Sequence, residues 1–163
     1  MTVTDDHVDV ASEVRALRDR EQVVDALCRF AAGQDLKDPD LFLSAFAPGA
    51  TLDFTQPAGR FGADVPVMPD RDTIAGIMTT LAPLDTTHTV TNPRVSLDGD
   101  RATLVALVEA QHVTRAAPHR HLLLKNVYEV TLSRAGVGWV IETMVIRNVW
   151  FDGEPSVLFG DGG

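Results

Sequence analysis

The prevailing spacing of the apolar residues in this 163-residue chain changes at Pro83, and that change limits the possible folds more than any other feature. Before it they recur at intervals of three and four, as on helices that bury one face. After it they alternate, as on strands with one covered side. The longest alternating run is Arg101–Thr114, whose even positions read Ala102, Leu104, Ala106, Val108, Ala110 and His112. Helices first and hairpin-linked strands after predict an α+β fold, because a parallel α/β sheet needs a helix between successive strands. The expectation is one domain over residues 1–163. Its N-terminal helices would pack on a curved, mostly antiparallel sheet and enclose a pocket.

Along the chain, residues 1–11 carry no such period and read as frayed. Ser12–Ala32 is amphipathic through Val14, Leu17, Val23, Val24, Leu27, Cys28 and Ala31, with a break near Arg20. Gly33 supplies a C-terminal stop. Asp38-Pro39-Asp40 has the form of an N-cap with proline in the first turn, opening a short helix to Phe46. Pro48-Gly49 ends that helix, Ala50–Phe54 is a short strand, and Thr55–Pro69 is a loop rich in glycine and proline. Asp70 or Asp72 caps a third helix through Leu81. Strands follow at Thr87–Leu97 (interrupted at Pro93), Arg101–Thr114, Leu122–Leu132 and Trp139–Trp150. Asp98-Gly99-Asp100 is a hairpin turn. Residues 151–163 keep large apolar groups, among them Phe151, Leu158 and Phe159, a composition suited to covering the pocket or a subunit interface.

Fourteen basic against 23 acidic residues give a net charge of −9. Phosphate backbones and anionic lipid need a basic face, so neither nucleic acid nor membrane is an expected partner. No apolar run approaches the ~20 residues of a membrane helix. The acidic start lacks the layout of a secretory signal, and the expected location is cytoplasmic. Cys28 is the only cysteine, which rules out an intrachain disulfide and a cysteine-based zinc site. Its place in the helical row reads as buried. His112, His119 and His121 are the right residue type for a metal, but Pro118 and Arg120 put the last two in a hairpin loop. No metal and no cofactor is expected.

Three polar residues interrupt this pattern, and a fourth, Asp35, stands in a connection between helices. His112 ends the even-numbered row of its strand, Asn126 lies among Leu124, Tyr128 and Val130, and His88 opens a strand. Asp35 follows the helix-ending glycine, where a carboxylate can point back under the sheet. Each alone has an ordinary reading as a cap, a turn former or a satisfied buried group.

Longer strings carry a resemblance. Arg29-Phe30-Ala31-Ala32-Gly33-Gln34-Asp35-Leu36-Lys37-Asp38 and Phe46-Ala47-Pro48-Gly49-Ala50-Thr51-Leu52-Asp53-Phe54 are similar to stretches of SnoaL-like members of the NTF2-like superfamily. So are Thr87-His88-Thr89-Val90-Thr91-Asn92-Pro93, Asp98-Gly99-Asp100-Arg101-Ala102 and Gly138-Trp139-Val140-Ile141. The likeness spans Val14 to Trp150, and its motif pattern is closest to scytalone dehydratase-like and bile-acid dehydratase-like members. It implies a cone in which helices and a curved sheet enclose a pocket.

The resemblance also implies a site. Asp35 and His88 stand where the dehydratase-like members pair an aspartate with a histidine. His112 matches a second histidine of scytalone dehydratase. Asn126 matches an asparagine if two residues are inserted in a hairpin, which keeps the facing of the strand. The implied catalytic set is Asp35, His88, His112 and Asn126. The expected substrate contacts are Phe30, Phe54, Leu104, Val108, Tyr128 and Trp150. Phe30 and Gln34 replace tyrosines common in the family, and Asp53 is one residue off the base of ketosteroid isomerase. The activity implied is a cofactor-independent lyase, dehydratase-type, on a small hydrophobic oxygenated ring-containing metabolite. A polyketide cyclase or isomerase with the same pair, or a non-catalytic ligand-binding or assembly domain, are the alternatives. A homodimer or homotrimer is expected.

Overall fold

In the computed structural model, which describes residues 9–160, the first helix runs unbroken from Val10 to Leu36 (α1). The expected frayed start is corrected at residues 10 and 11, and residues 1–8 lie outside the described residues. Asp9 opens the helix by accepting the Ala11 N–H. No break occurs at Arg20, since arginine is a good helix former and its Nη1 reaches out to the Val95 carbonyl at 2.8 Å. Nor does Gly33 end the helix. It lies within it because the Phe42 backbone passes so close that a Cβ would sit 2.4 Å from the Phe42 nitrogen. The stop falls at Lys37, left-handed at φ 57°, whose N–H caps the carbonyls of Gln34 and Gly33. Cys28 is exposed, not buried, because the helix turns its core face through Leu27 and Phe30 instead.

Asp38 caps α2 (Pro39–Ser44) through the Leu41 N–H. Strand β1 (Phe46–Asp53) begins before the expected Ala50 and takes in Pro48-Gly49. The proline is tolerated because β1 is an edge strand, with its register shifted between Phe46 and Thr51. The expected loop after it opens with a helix, α3 (Thr55–Arg60). Asp53 Oδ1 accepts the Thr55 N–H and hydroxyl there, which gives that carboxylate a local structural task. Asp70 caps α4 (Arg71–Leu81) through the Thr73 N–H.

The remaining strands are β2 (Leu84–Asp98), β3 (Arg101–Thr114), β4 (His121–Ala135) and β5 (Gly138–Gly153), followed by the short helix α5 (Ser156–Phe159). The sheet order is β1-β5-β4-β3-β2. The β1–β5 pair is parallel and the others antiparallel, so helices pack on a mixed, mostly antiparallel sheet. Pro93 does not end β2; it is absorbed in a register shift between Thr91 and Arg94, with Asn92 at φ 52°.

The alternation in β3 and β4 sets the core. Leu104, Val108, Val130 and Leu132 face Leu27 and Phe30 of α1, with Phe42 and Phe46 closing the cluster. A smaller cluster, Ala110, Leu122 and Leu124, packs under Phe61, Phe151 and Leu158. Register in β5 is broken near its end: Lys125 faces Trp150 but Asn126 faces Asn148, leaving Val149 as the extra residue of a bulge. A bulge swaps the faces of the residues beyond it, so Asn148 is buried while Trp150 is half exposed. Among the described residues, no helix is long and apolar enough to cross a membrane.

Candidate active site

Ending α1 at Lys37 rather than Gly33 places Asp35 on the last helical turn, beside the start of β2. Its carboxylate grips His88 twice: Oδ1 lies 2.7 Å from the His88 Nδ1, and Oδ2 accepts the His88 backbone N–H at 2.7 Å. This two-point contact fixes the ring and makes Nδ1 the donor, leaving Nε2 with a lone pair. The His88 side chain is 2% exposed and that of Asp35 21%. Burial alone would raise the Asp35 carboxyl, but the His88 ring, its charge and its backbone N–H outweigh it and hold the group below its ordinary value.

His112 lies next to this pair, with ring centroids 5.8 Å apart and nearly perpendicular. Its Nδ1 meets the Leu122 carbonyl at 3.3 Å and must donate to it. Burial, reinforced by repulsion from His88, pushes its pKa down to about 4. His112 is therefore neutral near pH 7 and presents the bare Nε2, an acceptor.

Tyr128 and Asn126 supply the complementary groups. Burial drives the Tyr128 hydroxyl well above its ordinary value, only partly offset by the neighbouring Asn126 amide, so it stays protonated. Asn126 Oδ1 accepts from Asn148 Nδ2 at 2.9 Å, while Asn126 Nδ2 is buried with no hydrogen-bond partner. A buried amide donor without a partner costs about 1–3 kcal/mol, a cost that a ligand oxygen would relieve.

His88, His112, Asn126 and Tyr128 line a cavity of about 400 Å³, and Asp35 reaches it only through His88. Of the expected contacts, Phe30, Phe54 and Tyr128 line it, together with Asp35's partner His88, His112 and Asn126. Leu104, Val108 and Trp150 do not. The two aliphatic residues are consumed in the packed core, and the β5 bulge turns Trp150 outward, over Lys125. Gln34, Leu52, Met68 and Ile77, not named from the sequence as contacts, add to the wall, as do Leu158 and Phe159 of the C-terminal segment. Ile77 sits on the apolar face of α4 that the spacing reveals. Met68 enters through an isolated bridge to Leu52, for which the sequence has no signal. His119 is exposed, and His121 turns to Asp152 at 3.4 Å, so neither joins His112.

The profile of the SnoaL-like domain family matches residues 15–145. Terrestric acid biosynthesis cluster protein E of Penicillium crustosum is 30% identical over 151 residues, covering 88% of this chain and 91% of that protein. Among solved structures, a scytalone dehydratase-like protein of Novosphingobium aromaticivorans superposes with a TM-score of 0.75 at 12% identity, over 86% of this chain and 91% of the other. The hexachlorocyclohexane dehydrochlorinase LinA-type3 of Novosphingobium barchaimii gives 0.71 at 15% identity, over 88% and 94%. At these identities the two structures speak for the shared fold.

Proposed function

We propose that this chain, which belongs to the SnoaL-like domain family, is a cofactor-independent lyase that removes water from a small, hydrophobic, ring-containing β-hydroxy ketone. The observation that carries the reading is the His88 imidazole, gripped at two points by Asp35 and lining an apolar cavity together with a buried amide donor that has no partner. The likeness to a biosynthesis-cluster protein of Penicillium crustosum supports a biosynthetic setting.

Each group then has one task. The substrate carbonyl takes the Asn126 Nδ2–H and the Tyr128 hydroxyl as donors, which stabilises the enolate that forms when a neighbouring C–H is lost. His88 Nε2 removes that proton, and the Asp35 carboxylate stabilises the imidazolium. The substrate hydroxyl hydrogen-bonds to His112 Nε2, which orients it. The enolate re-forms its carbonyl as the C–O bond breaks, and His88 returns the proton to the departing oxygen. Water leaves from the face that lost the proton, and His88 is regenerated. Acid–base assistance of this kind is worth about 10²–10⁴ in rate.

A direct test uses 3-hydroxy-1-tetralone, whose dehydration delivers 1-naphthol and is followed by fluorescence. The wild-type protein is expected to accelerate it, and Asp35→Asn and His88→Gln to lower kcat by at least about 10². Full turnover in both variants would sink the mechanism.

A further inference from the structure

We infer that Asn148 decides which edge of the Asn126 amide a ligand meets, and so makes the cavity select a carbonyl-type acceptor at that point. This rests on Asn126 being the substrate donor, as proposed for the dehydration. The β5 bulge converges several acceptors on one spot. Asn148 Nδ2 reaches the Asn126 Oδ1 and the Trp150 carbonyl at 2.9 Å each, and the Lys125 carbonyl at 3.4 Å. Backbone carbonyls cannot exchange roles, so only an N–H₂ group suits that position and the orientation of Asn148 is determined.

The consequence passes to Asn126. Facing a fixed donor, it must present Oδ1, because the reversed amide would set two N–H₂ groups against each other. Its Nδ2 is thereby left over, and Asn126 is the member of the pair that lines the cavity. Asn148 is itself buried, 4% exposed, and does not line the cavity. It is a positioning residue.

Helix α3 locks the arrangement from outside. Gln56 Oε1 accepts the Asn148 backbone N–H at 2.8 Å. Arg60 Nη1 donates to the carbonyls of Asn148 and Val149 at 2.7 and 2.8 Å. The bulge cannot slide back into regular register without breaking these contacts, so the polarity of the cavity wall is set two contacts away from it.

The test compares 1-tetralone with tetralin, the same ring system without the carbonyl oxygen, in equilibrium binding to the full chain. Wild-type protein is expected to prefer tetralone by about tenfold, the worth of one good hydrogen bond to a buried donor. Asn148→Leu, close in volume but with no donor, should bring the preference within about twofold while leaving tetralin affinity unchanged. Asn148→Ser, which keeps a small donor and is the variant to use if the leucine disrupts folding, should retain an intermediate preference. Asn126→Leu should lower the preference to the same residual value, which the Tyr128 hydroxyl sustains, and adding Asn148→Leu to it should change nothing more. Equal weakening of both ligands in the Asn148 variants, with the ratio kept, would mean a purely structural role and overturn the inference. If wild-type protein shows no preference, the Asn126 donor assignment falls and the inference with it. Neither result depends on turnover, so proton transfer by Asp35 and His88 stands or falls separately.

Discussion

His112 and His88 pack edge to face, yet only His88 has a carboxylate. The difference predicts how the fold responds to acid. The folded-state pKa of His112 is about 4, against an ordinary 6.5. Between those values the unfolded chain binds the proton and the folded chain does not, so stability falls as pH drops from about 6.5 to 4. The loss is about 3 kcal/mol in all, from about 1.4 kcal/mol per pH unit. Asp35, held below 3.8, adds a loss only below that value. Urea denaturation across the window should show the slope, and His112→Leu should flatten it; an unchanged slope would place the acid sensitivity elsewhere. His88, His112 and Asn126 are visible in the sequence as polar breaks in apolar rows. Asn148 is not, because its face depends on a one-residue bulge that alternation does not encode.

At the level of elements, the strands are more legible in the sequence than the helix ends. The β3 boundaries agree because the hairpin turn and the alternation specify them together. The end of α1 is misread because Gly33 has the look of a stop signal, whereas its real constraint is the Phe42 backbone, remote from the local pattern. Gly33→Ala should therefore cost about 1–3 kcal/mol through overpacking, while Gly49→Ala, with open space around it, should cost far less. Chemical denaturation of both variants measures this, and equal costs would contradict the close approach. Helix α3 escapes a sequence reading because six residues that include a proline and a glycine carry no usable period. Yet Gln56 and Arg60 from that segment brace the bulge beside the cavity.

On the scale of the whole molecule, the cavity lies between the main core and a smaller cluster closed by the C-terminal segment. Leu158 and Phe159 of α5 line it, and Phe61 meets Phe151 edge to face and Phe159 at a tilt. Truncation after Glu154 should leave the sheet folded and weaken 1-tetralone binding by about tenfold, the scale expected for losing one well-buried apolar side chain; unchanged affinity would show that α5 is no part of the binding wall. The central claim, that the Asp35–His88 pair abstracts a carbon-bound proton, is tested most directly by exchange of the α-protons of 2-tetralone in D₂O, followed by NMR. Wild-type protein is predicted to accelerate the exchange, with His88→Gln and Asp35→Asn each slower by about 10² or more. Exchange as fast in both variants as in the wild type, or none above the buffer rate in any of them, would contradict the account.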